Sequence, residues 1–327
     1  MIVSRTPLRI SFVGGGSDLP TFYRGAPDGG AVVSTAIDKY VYIAINAKFD
    51  GRVRASYSIT ENVDTADQLQ HELIREALHL VGIDRGVEIT SVSDVPSHGS
   101  GLGSSSSYVV GLLAALYMFK GQSLDAERIA RDACHIEIER CKKPIGKQDQ
   151  YIATVGGLQY IQFHQDDTVT NKPIYYLTKR TTCMLERHLL LFYTGLARAS
   201  DDILAEQQYN AGHSNETRQY LGQMVDLARQ LYTDLSNDNL STFGDILHQG
   251  WQLKKQLAHA VSNPKIDQWY TTARQHGAIG GKLLGAGGGG FLLLYAPPEK
   301  HQAIIQILQL KVVPISFEPK GVQIFKL

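Results

Sequence analysis

The segment that decides the fold is Pro96-Ser-His-Gly-Ser-Gly-Leu-Gly-Ser-Ser-Ser-Ser107, which runs directly into the apolar stretch Tyr108–Phe119. Its three glycines let the backbone approach a ligand closely. The helix predicted over 108–119 offers free N–H groups and the positive end of its dipole to that ligand. The serine hydroxyls add hydrogen bonds and can supply one Mg²⁺ ligand. The segment therefore predicts an anion site suited to a polyphosphate.

Two common phosphate-binding loops do not fit this segment. No Gly-Lys-Ser/Thr follows the glycines, as a Walker A loop requires, and the spacing is not the G-x-G-x-x-G of dinucleotide-binding folds. A flexible Gly/Ser turn is the alternative interpretation. The position of the segment between a strand and a long apolar helix favours the phosphate site.

Composition sets limits on the class of protein. The 327 residues are 43% hydrophobic and 20% charged, which is typical of a globular chain with one large or two medium domains. Lys+Arg and Asp+Glu both number 32, so the chain lacks the basic excess that nucleic acids or anionic membranes favour, and we expect neither partner.

Cysteine content and hydropathy indicate the compartment. Three cysteines without CxxC spacing predict neither a disulfide framework nor a zinc site, so a reducing cytoplasm is expected. The first residues lack the apolar core of a signal peptide, and no apolar run is long enough to span a bilayer.

The order of periodic segments predicts an α+β fold whose two halves meet near residue 190. Strands are predicted at 8–13, 41–46, 53–56, 87–92, within 158–193, and at 281–284, 291–295, 312–317 and 322–325. Helices are predicted at 108–119, at 123–142 with Ser123 as N-cap, through 198–276 with joints at 236–239 and 262–264, and at 298–310.

Glu137 is unusual because it lies on the apolar face of the helix predicted over 123–142. At about 100° per residue it falls between Ala133 and Cys141. A buried carboxylate is costly unless it is paired or binds a metal. Two interpretations stay open, an ion pair with a residue such as Arg140 or a Mg²⁺ ligand.

Asp149 follows twelve residues later, within Gly146-Lys-Gln-Asp-Gln-Tyr151. We predict a turn there, beyond the end of the helix, from which an acid can project into a cleft. A kinase acting on an alcohol needs a carboxylate near the attacking hydroxyl and cations near the γ-phosphoryl group. The alternative is an Asp that caps the next element.

Two further glycine segments carry candidate residues. Thr6-Pro-Leu-Arg-Ile-Ser-Phe-Val-Gly-Gly-Gly-Ser-Asp18 places Arg9 in an apolar strand and ends in Asp18. Arg9 could face a reaction centre and Asp18 could accept hydrogen bonds from sugar hydroxyls, whereas a surface ion pair and an Asx turn are the alternatives. Gly280-Gly-Lys-Leu-Leu-Gly-Ala-Gly-Gly-Gly-Gly-Phe291 permits close contact with another loop or a ligand, unless it is a loose hairpin turn.

Together the three segments resemble the GHMP kinases, named for galactokinase, homoserine kinase, mevalonate kinase and phosphomevalonate kinase. Pro96–Ser107 is similar to the family motif P-x-x-x-G-L-G-S-S, Gly280–Phe291 to G-A-K-x-x-G-A-G-G-G-G, and Thr6–Asp18 to P-G-R-…-G-E-H-x-D. The interval from Glu137 to Asp149 resembles that of galactokinase, where a helix Glu precedes the catalytic Asp of G-x-x-D-Q.

Two departures from the family pattern and four further matching segments indicate which subgroup of the family this chain resembles. Leu8 stands where the family has glycine, and Gly15-Gly16 replace the Glu-His of galactokinase, so recognition of a galactose-type sugar by those side chains is lost. The segments 6–20, 30–42, 146–151 and 192–198 look most like the bacterial heptose 7-phosphate kinases, a subgroup that phosphorylates an anomeric hydroxyl on the way to nucleotide-activated heptose.

The resemblance implies a two-domain architecture and its ligands. Residues 1–187 would form an ATP-binding domain of the ribosomal-protein-S5 second-domain type, and residues 188–327 a ferredoxin-like α/β domain. The active site would lie between them, with ATP and Mg²⁺ as cofactors and a sugar phosphate as substrate. The resemblance also permits a homodimer.

The same resemblance implies individual roles. Asp149 would act as base or orienting group, Arg9 would stabilise the transferring phosphoryl group, and Ser105 and Glu137 would hold Mg²⁺. The nucleotide-binding set is Pro96, Gly99, Gly101, Leu102, Gly103, Ser104, Ser105 and Ser106. The sugar-binding set is Gly15, Gly16, Ser17, Asp18, Lys147, Arg198, Gly287 and Gly288.

Other functions on the same fold stay open. The chain could be a sibling kinase for fucose or a hexose, or a non-catalytic ATP- and sugar-binding sensor. A sensor need not keep the residues predicted for catalysis and metal binding, all of which are present. A sugar phosphate needs cationic contacts at its distal end, for which the candidates are Lys147, Lys179, Arg180 and Arg198.

Overall fold

An eight-stranded, mostly antiparallel sheet is the larger of two sheets in the computed structural model, which describes residues 1–96, 99–196 and 200–327. Strands β1 (Ile2–Val13) and β2 (Gly30–Ala47) pair along most of their length and form its centre. The other strands of the first half are β3 (Val53–Ser56), β4 (Thr60–Val63), β5 (Val87–Ser93), β6 (Leu158–Phe163) and β7 (Val169–Pro173). Strand β5 joins β2 to β3 and β4, whereas β6 pairs with the first half of β2 and carries β7.

Helices cover this sheet. They are α1 (Pro20–Tyr23), α2 (Glu72–Val81), α3 (Ser104–Phe119), α4 (Ala126–Cys134), α5 (Gln148–Val155) and α6 (Lys179–His188). Apolar residues surround α3 on nearly every side, the pattern of a helix buried in a core. It therefore packs between the central strands and its neighbours α2, α4 and α5.

The second half of the chain builds a four-stranded antiparallel sheet with its own helices. The elements are β8 (Leu189–Tyr193), α7 (Ser200–His213), α8 (Asn215–Ser236), α9 (Phe243–Lys254), α10 (Pro264–Gln275), β9 (Gly280–Leu283), β10 (Phe291–Tyr295), α11 (Pro298–Leu308) and β11 (Lys311–Val312). The strand order is β11-β8-β10-β9, and every residue of β10 is buried. Helix α9 packs on both β9 and β1, which joins the two halves.

The last strand returns to the first sheet. Strand β12 (Gln323–Lys326) pairs antiparallel with β1, opposite residues 2–5. The predicted domain boundary between residues 187 and 188 stays a prediction. Strand β12 follows that boundary in the chain but belongs to the sheet of the first half. Among the described residues, no helix combines the length and apolarity needed to cross a membrane.

Several predicted elements differ from the structure. The region 158–193, predicted as strands, contains α6, because Thr178 caps a helix there by accepting a hydrogen bond from the N–H of Thr181. Helix α2 was not predicted. Asp125, rather than Ser123, caps α4, and the predicted strand 312–317 is a strand only through residue 312.

Candidate active site

A cavity of about 880 Å³ opens between the two halves. Elements on both sides contribute to it, including β1, α3, α5, α9 and the glycine loop between β9 and β10. Most of the predicted site residues line this cavity, namely Arg9, Gly15, Gly16, Asp18, Gly99, Gly101, Gly103, Ser104, Ser105, Ser106, Glu137, Asp149 and Gly287.

Four other predicted residues lie away from the cavity. Pro96 is exposed, Leu102 is fully buried in the core, and the hydroxyl of Ser17 is bound to the backbone of Ala31. The N–H of Gly288 donates to the carbonyl of Val261. None of these four lines the cavity.

Lys147, one of the predicted cations, does not line the cavity in the described structure. The ammonium of Lys147 pairs with Asp167, at 3.4 Å, and lies over the ring of Tyr23. Its predicted contact with a substrate is therefore not part of this arrangement. Arg198 lies outside the described residues.

The phosphate loop, residues 99–104, leads into the N-terminus of α3. Gly99, Gly101 and Gly103 all have positive φ, between 66° and 76°, a backbone conformation that favours glycine. Gly103 is the N-cap, so the helix begins at Ser104 rather than at residue 108 as predicted. The serines thus occupy the first turn, where unpaired backbone N–H groups can bind an anion.

The buried Arg9 and the half-buried Asp149 form a pair beside this loop. The Nε and Nη2 atoms of Arg9 donate to the two carboxylate oxygens of Asp149 at 2.7 and 2.6 Å. The Nη1 atom donates to the carbonyl of Gly101 at 2.6 Å. Arg9 is only 5% exposed, so the interpretation as a surface ion pair is wrong. Asp149 lies in the first turn of α5, not in a turn before it.

Glu137 contacts the serines in the first turn of α3. Residues 135–140 form a turn of π-helix after α4, a feature that often re-aims a side chain at a functional site. The carboxylate of Glu137 is fully buried and accepts hydrogen bonds from Ser105 Oγ at 2.7 Å and Gln150 Nε2 at 2.5 Å. Burial raises the pKa of Glu137, and these hydrogen bonds oppose that rise.

The ion-pair interpretation of Glu137 is wrong for the described residues. Arg140 turns away and pairs with Glu76 at 3.4 Å instead, and no described cation lies within ion-pair distance of Glu137. A hydroxyl and a carboxylate adjoining a phosphate loop are hard oxygen donors. Such a donor set fits Mg²⁺, which binds through one or two protein oxygens together with substrate phosphates. The described residues hold no cluster of three or more metal-ligating side chains.

Asp18 is 3% exposed at the edge of the cavity. Its carboxylate oxygens accept backbone N–H groups of Gly16 at 2.9 Å and Gln148 at 3.2 Å. Burial, and next the negative charge of Asp149, raise the pKa of Asp18. A side chain on Gly146 would overlap this carboxylate, with the added Cβ only 2.0 Å from Oδ2, so the approach requires glycine there.

The glycine loop between β9 and β10 lies against the phosphate loop. A Cβ on Gly101 would lie 2.4 Å from the carbonyl oxygen of Leu284, and one on Gly290 would lie 2.5 Å from that of Ser100. These glycines therefore serve a close contact between two loops, one of the two uses predicted for the segment.

Sequence reasoning missed several residues that line the cavity. Lys282 lies in the quoted glycine segment, and a lone cation among apolar residues was the same signal that identified Arg9. Lys254 carries no such signal, because a lysine near the end of an amphipathic helix is usually exposed. The others that matter below are Ser11, Gln148, Tyr57, His71 and Tyr108.

Comparison with known proteins identifies the fold. The family model for the GHMP kinases N terminal domain matches residues 66–157, and that for GHMP kinases C terminal matches residues 231–312. Together these matches span more than half of the chain. The chain is 28% identical to D-glycero-alpha-D-manno-heptose 7-phosphate kinase from Campylobacter jejuni, covering 100% of this chain and 99% of that protein.

Two other similarities agree in fold. The chain is 26% identical to L-fucokinase/L-fucose-1-P guanylyltransferase from Bacteroides fragilis, over 99% of this chain but only 38% of that longer protein. The crystal structure of a D-glycero-D-manno-heptose 1-phosphate kinase from Bacteroides thetaiotaomicron superimposes with a TM-score of 0.78 at 25% identity, covering 100% of this chain and 99% of that one. With both family models matched in order around one cavity, this chain belongs to the GHMP kinase family and is an ATP-dependent phosphotransferase.

Proposed function

We propose that this GHMP kinase transfers the γ-phosphoryl group of ATP to the anomeric hydroxyl of D-glycero-D-manno-heptose 7-phosphate, giving the 1,7-bisphosphate. The observation that carries the proposal is the full-length similarity to the Campylobacter jejuni heptose 7-phosphate kinase. The alternative is a sibling kinase for another sugar, which the similarity to the fucokinase favours. A cytoplasmic location and a homodimer stay predictions.

The Arg9–Asp149 pair at the cavity wall supports an in-line transfer. The bond from the anomeric oxygen to the γ-phosphorus forms as the bond to the bridging oxygen of ATP breaks, and ADP leaves. Asp149 would accept the hydroxyl proton or orient the hydroxyl, and Arg9 holds that carboxylate through two hydrogen bonds. The same guanidinium would attract the negative charge of the transferring group.

Residues around the phosphate loop would bind the nucleotide. Backbone N–H groups in the first turn of α3 would hold phosphate oxygens. Mg²⁺ held by Ser105 and Glu137 would neutralise charge on the β- and γ-phosphates. The ring centroids of Tyr57 and Tyr108 lie 4.5 and 5.5 Å from that of His71. These three aromatic side chains would contact the adenine base of ATP.

The floor beside Gly15 and Gly16 would take the sugar. Neither position adds a side chain to this floor, which would leave more room for a seven-carbon sugar. The hydroxyl of Ser11 is buried there and makes no hydrogen bond within the described chain, so it has both a donor and acceptors to offer. Gln148 Nε2 lies 3.4 Å from where a Gly15 Cβ would be, and Asp18 borders the same space.

Glu137→Gln should raise the Mg²⁺ concentration needed for half-maximal activity by about tenfold or more, because the metal loses an anionic oxygen ligand. Since burial raises the pKa of Glu137, the wild-type requirement for Mg²⁺ should also grow as the pH falls and the carboxyl becomes protonated. Metal titrations of initial rate at several pH values measure both effects.

Glu139→Gln is the matched control, because Glu139 is an exposed neighbour that pairs only with His135 in the described structure. Its metal requirement should stay at the wild-type value. An unchanged metal requirement in Glu137→Gln, combined with a lower Tm, would assign Glu137 to hydrogen bonding in the core alone.

A panel of acceptors tests the proposed substrate. We expect kcat/KM for D-glycero-D-manno-heptose 7-phosphate to exceed that for mannose 6-phosphate. The unphosphorylated heptose should be poorer by roughly 10²-fold, because each lost charge-assisted hydrogen bond costs about 1.5–3 kcal/mol. Coupled ADP release measures the rates, and phosphorus NMR locates the new phosphate on the anomeric oxygen.

Each other result of the panel has a clear meaning. Equal turnover of phosphorylated and free sugars would reject the heptose phosphate and favour a sibling sugar kinase. Preference for L-fucose would do the same. If no sugar in the panel is phosphorylated, the result would support the non-catalytic sensor.

A further inference from the structure

Lys254, the last residue of α9, is a buried cation at the wall of the cavity. Its side chain is 6% exposed, and its Nζ donates to the backbone carbonyl of Gly285. An ammonium group carries three donors, and a neutral carbonyl does not balance its charge. Within the described chain, no carboxylate lies within 4.0 Å of this nitrogen, unlike the ammonium of the next residue, Lys255.

None of the charged groups facing Lys254 forms a direct ion pair with it among the described residues. Asp149 is already bound by Arg9 through both oxygens. Lys282 donates to the carbonyls of Ser11 and Phe12 at 2.8 and 3.1 Å and adds a second buried ammonium. Burial, and next the charge of Arg9, lower the pKa of Lys254 to about 8, whereas Asp18 and Asp149 act in the opposite direction.

The position of Lys254 places it beside the phosphate loop. Its partner Gly285 approaches Gly101 so closely that a Cβ on Gly285 would lie 2.3 Å from the Gly101 Cα. Gly101 in turn accepts a hydrogen bond from Arg9. The ammonium therefore lies at the junction of the two glycine loops, close to the Arg9–Asp149 pair, on a helix of the second half of the chain.

We propose that Lys254 binds a phosphoryl oxygen of a bound substrate, as a cation that α9 supplies to the centre in addition to Arg9. This inference rests on the proposed phosphoryl transfer. The oxygen belongs either to the γ-phosphoryl group of ATP or to the phosphate of a phosphorylated acceptor. A compact ammonium suits both, because it binds phosphate as a point charge. An incoming anion would give this ammonium the direct charged partner that no described carboxylate provides.

Two binding comparisons distinguish the γ-phosphoryl group of ATP from the phosphate of the acceptor, and neither comparison requires the reaction to proceed. The first compares a non-hydrolysable ATP analogue with ADP, and the second compares the sugar phosphate with the free sugar, both by calorimetry in the presence of Mg²⁺. Lys254→Met should reduce the difference in affinity in one of these comparisons by about tenfold or more. Loss of the first assigns the γ-phosphoryl group, and loss of the second assigns the acceptor phosphate.

Lys255→Met is the matched control, because it removes the same charge one residue away, from a partly exposed ion pair with Asp267. Both affinity differences should stay within about twofold of wild type in this variant. If Lys254→Met behaves like Lys255→Met in both comparisons, the inference is wrong. Failure of the proposed function would appear separately, as a wild-type protein that phosphorylates no sugar in the panel.

The pH dependence adds a readout that a purely structural lysine would not change. Only the protonated ammonium attracts the anion, so wild-type affinity in the assigned comparison should fall as the pH rises above about 8. Lys254→Arg should remove this fall, because a guanidinium stays charged throughout. A fall that persists in Lys254→Arg would contradict the inference and point to Lys282, whose pKa burial also lowers.

Discussion

Asp149→Asn should lower kcat by at least about 10²-fold while the affinity for ATP changes little. The substitution keeps the shape of the side chain and removes the negative charge that could accept the proton of the attacking hydroxyl. It also breaks the bidentate pair, since an amide offers Arg9 only one acceptor oxygen. Steady-state rates with the preferred acceptor and calorimetry with an ATP analogue measure the two quantities.

Asp167→Asn provides the matched control for this experiment. Asp167 accepts two hydrogen bonds from Arg24, at 2.9 and 3.0 Å, in a partly exposed pair that does not line the cavity. It therefore undergoes the same chemical change in the same kind of pair, and kcat should stay within about twofold of wild type. Near-wild-type turnover in Asp149→Asn would move the base to another residue.

Gly101→Ala should lower kcat by about 10²-fold and also lower Tm. Gly101 has φ of 75°, a conformation that costs other residues roughly 1–2 kcal/mol. The added methyl would lie 2.4 Å from the Leu284 carbonyl oxygen, which belongs to backbone and cannot rotate away. The phosphate loop and the glycine loop must then separate, and a displacement of about 1 Å in a reaction centre is enough for a loss of this size.

Gly121→Ala separates backbone strain from the clash. Its φ of 71° is nearly the same, but a Cβ there meets no heavy atom within 4 Å. This control should lose stability through strain alone and keep kcat at the wild-type value. Equal effects of the two variants on thermal unfolding and on activity would show that the contact between the loops does not matter.

Local patterns in the sequence were sufficient to predict much of this fold. The central strand that carries Arg9, the helix after the phosphate loop and the helical region that begins the second half follow from periodicity and composition. The prediction failed at α6, where Thr178 supplies a cap within a segment that had been interpreted as strands. It also missed α2, which lies between His71 as N-cap and Gly82 in the left-handed conformation.

The chemical identities of the site residues were likewise a property of the sequence alone. A carboxylate on an apolar helix face and a cation in an apolar strand are unfavourable unless function requires them, so Glu137 and Arg9 could be chosen without coordinates. The serine and glycine content of the phosphate loop identified it for the same reason. Each of these signals depends only on near neighbours in the chain.

Only the tertiary structure decided which of these residues meet. Arg9 and Asp149 are 140 residues apart, and no local pattern specifies that they pair with each other. Packing of α9 against β1 and β9 buries Lys254 beside them, whereas Lys147, next to Gln148 in sequence, turns away to Asp167. The local sequence sets backbone conformation and burial, but contacts between distant segments depend on how whole elements pack, and that packing is determined by the complete core.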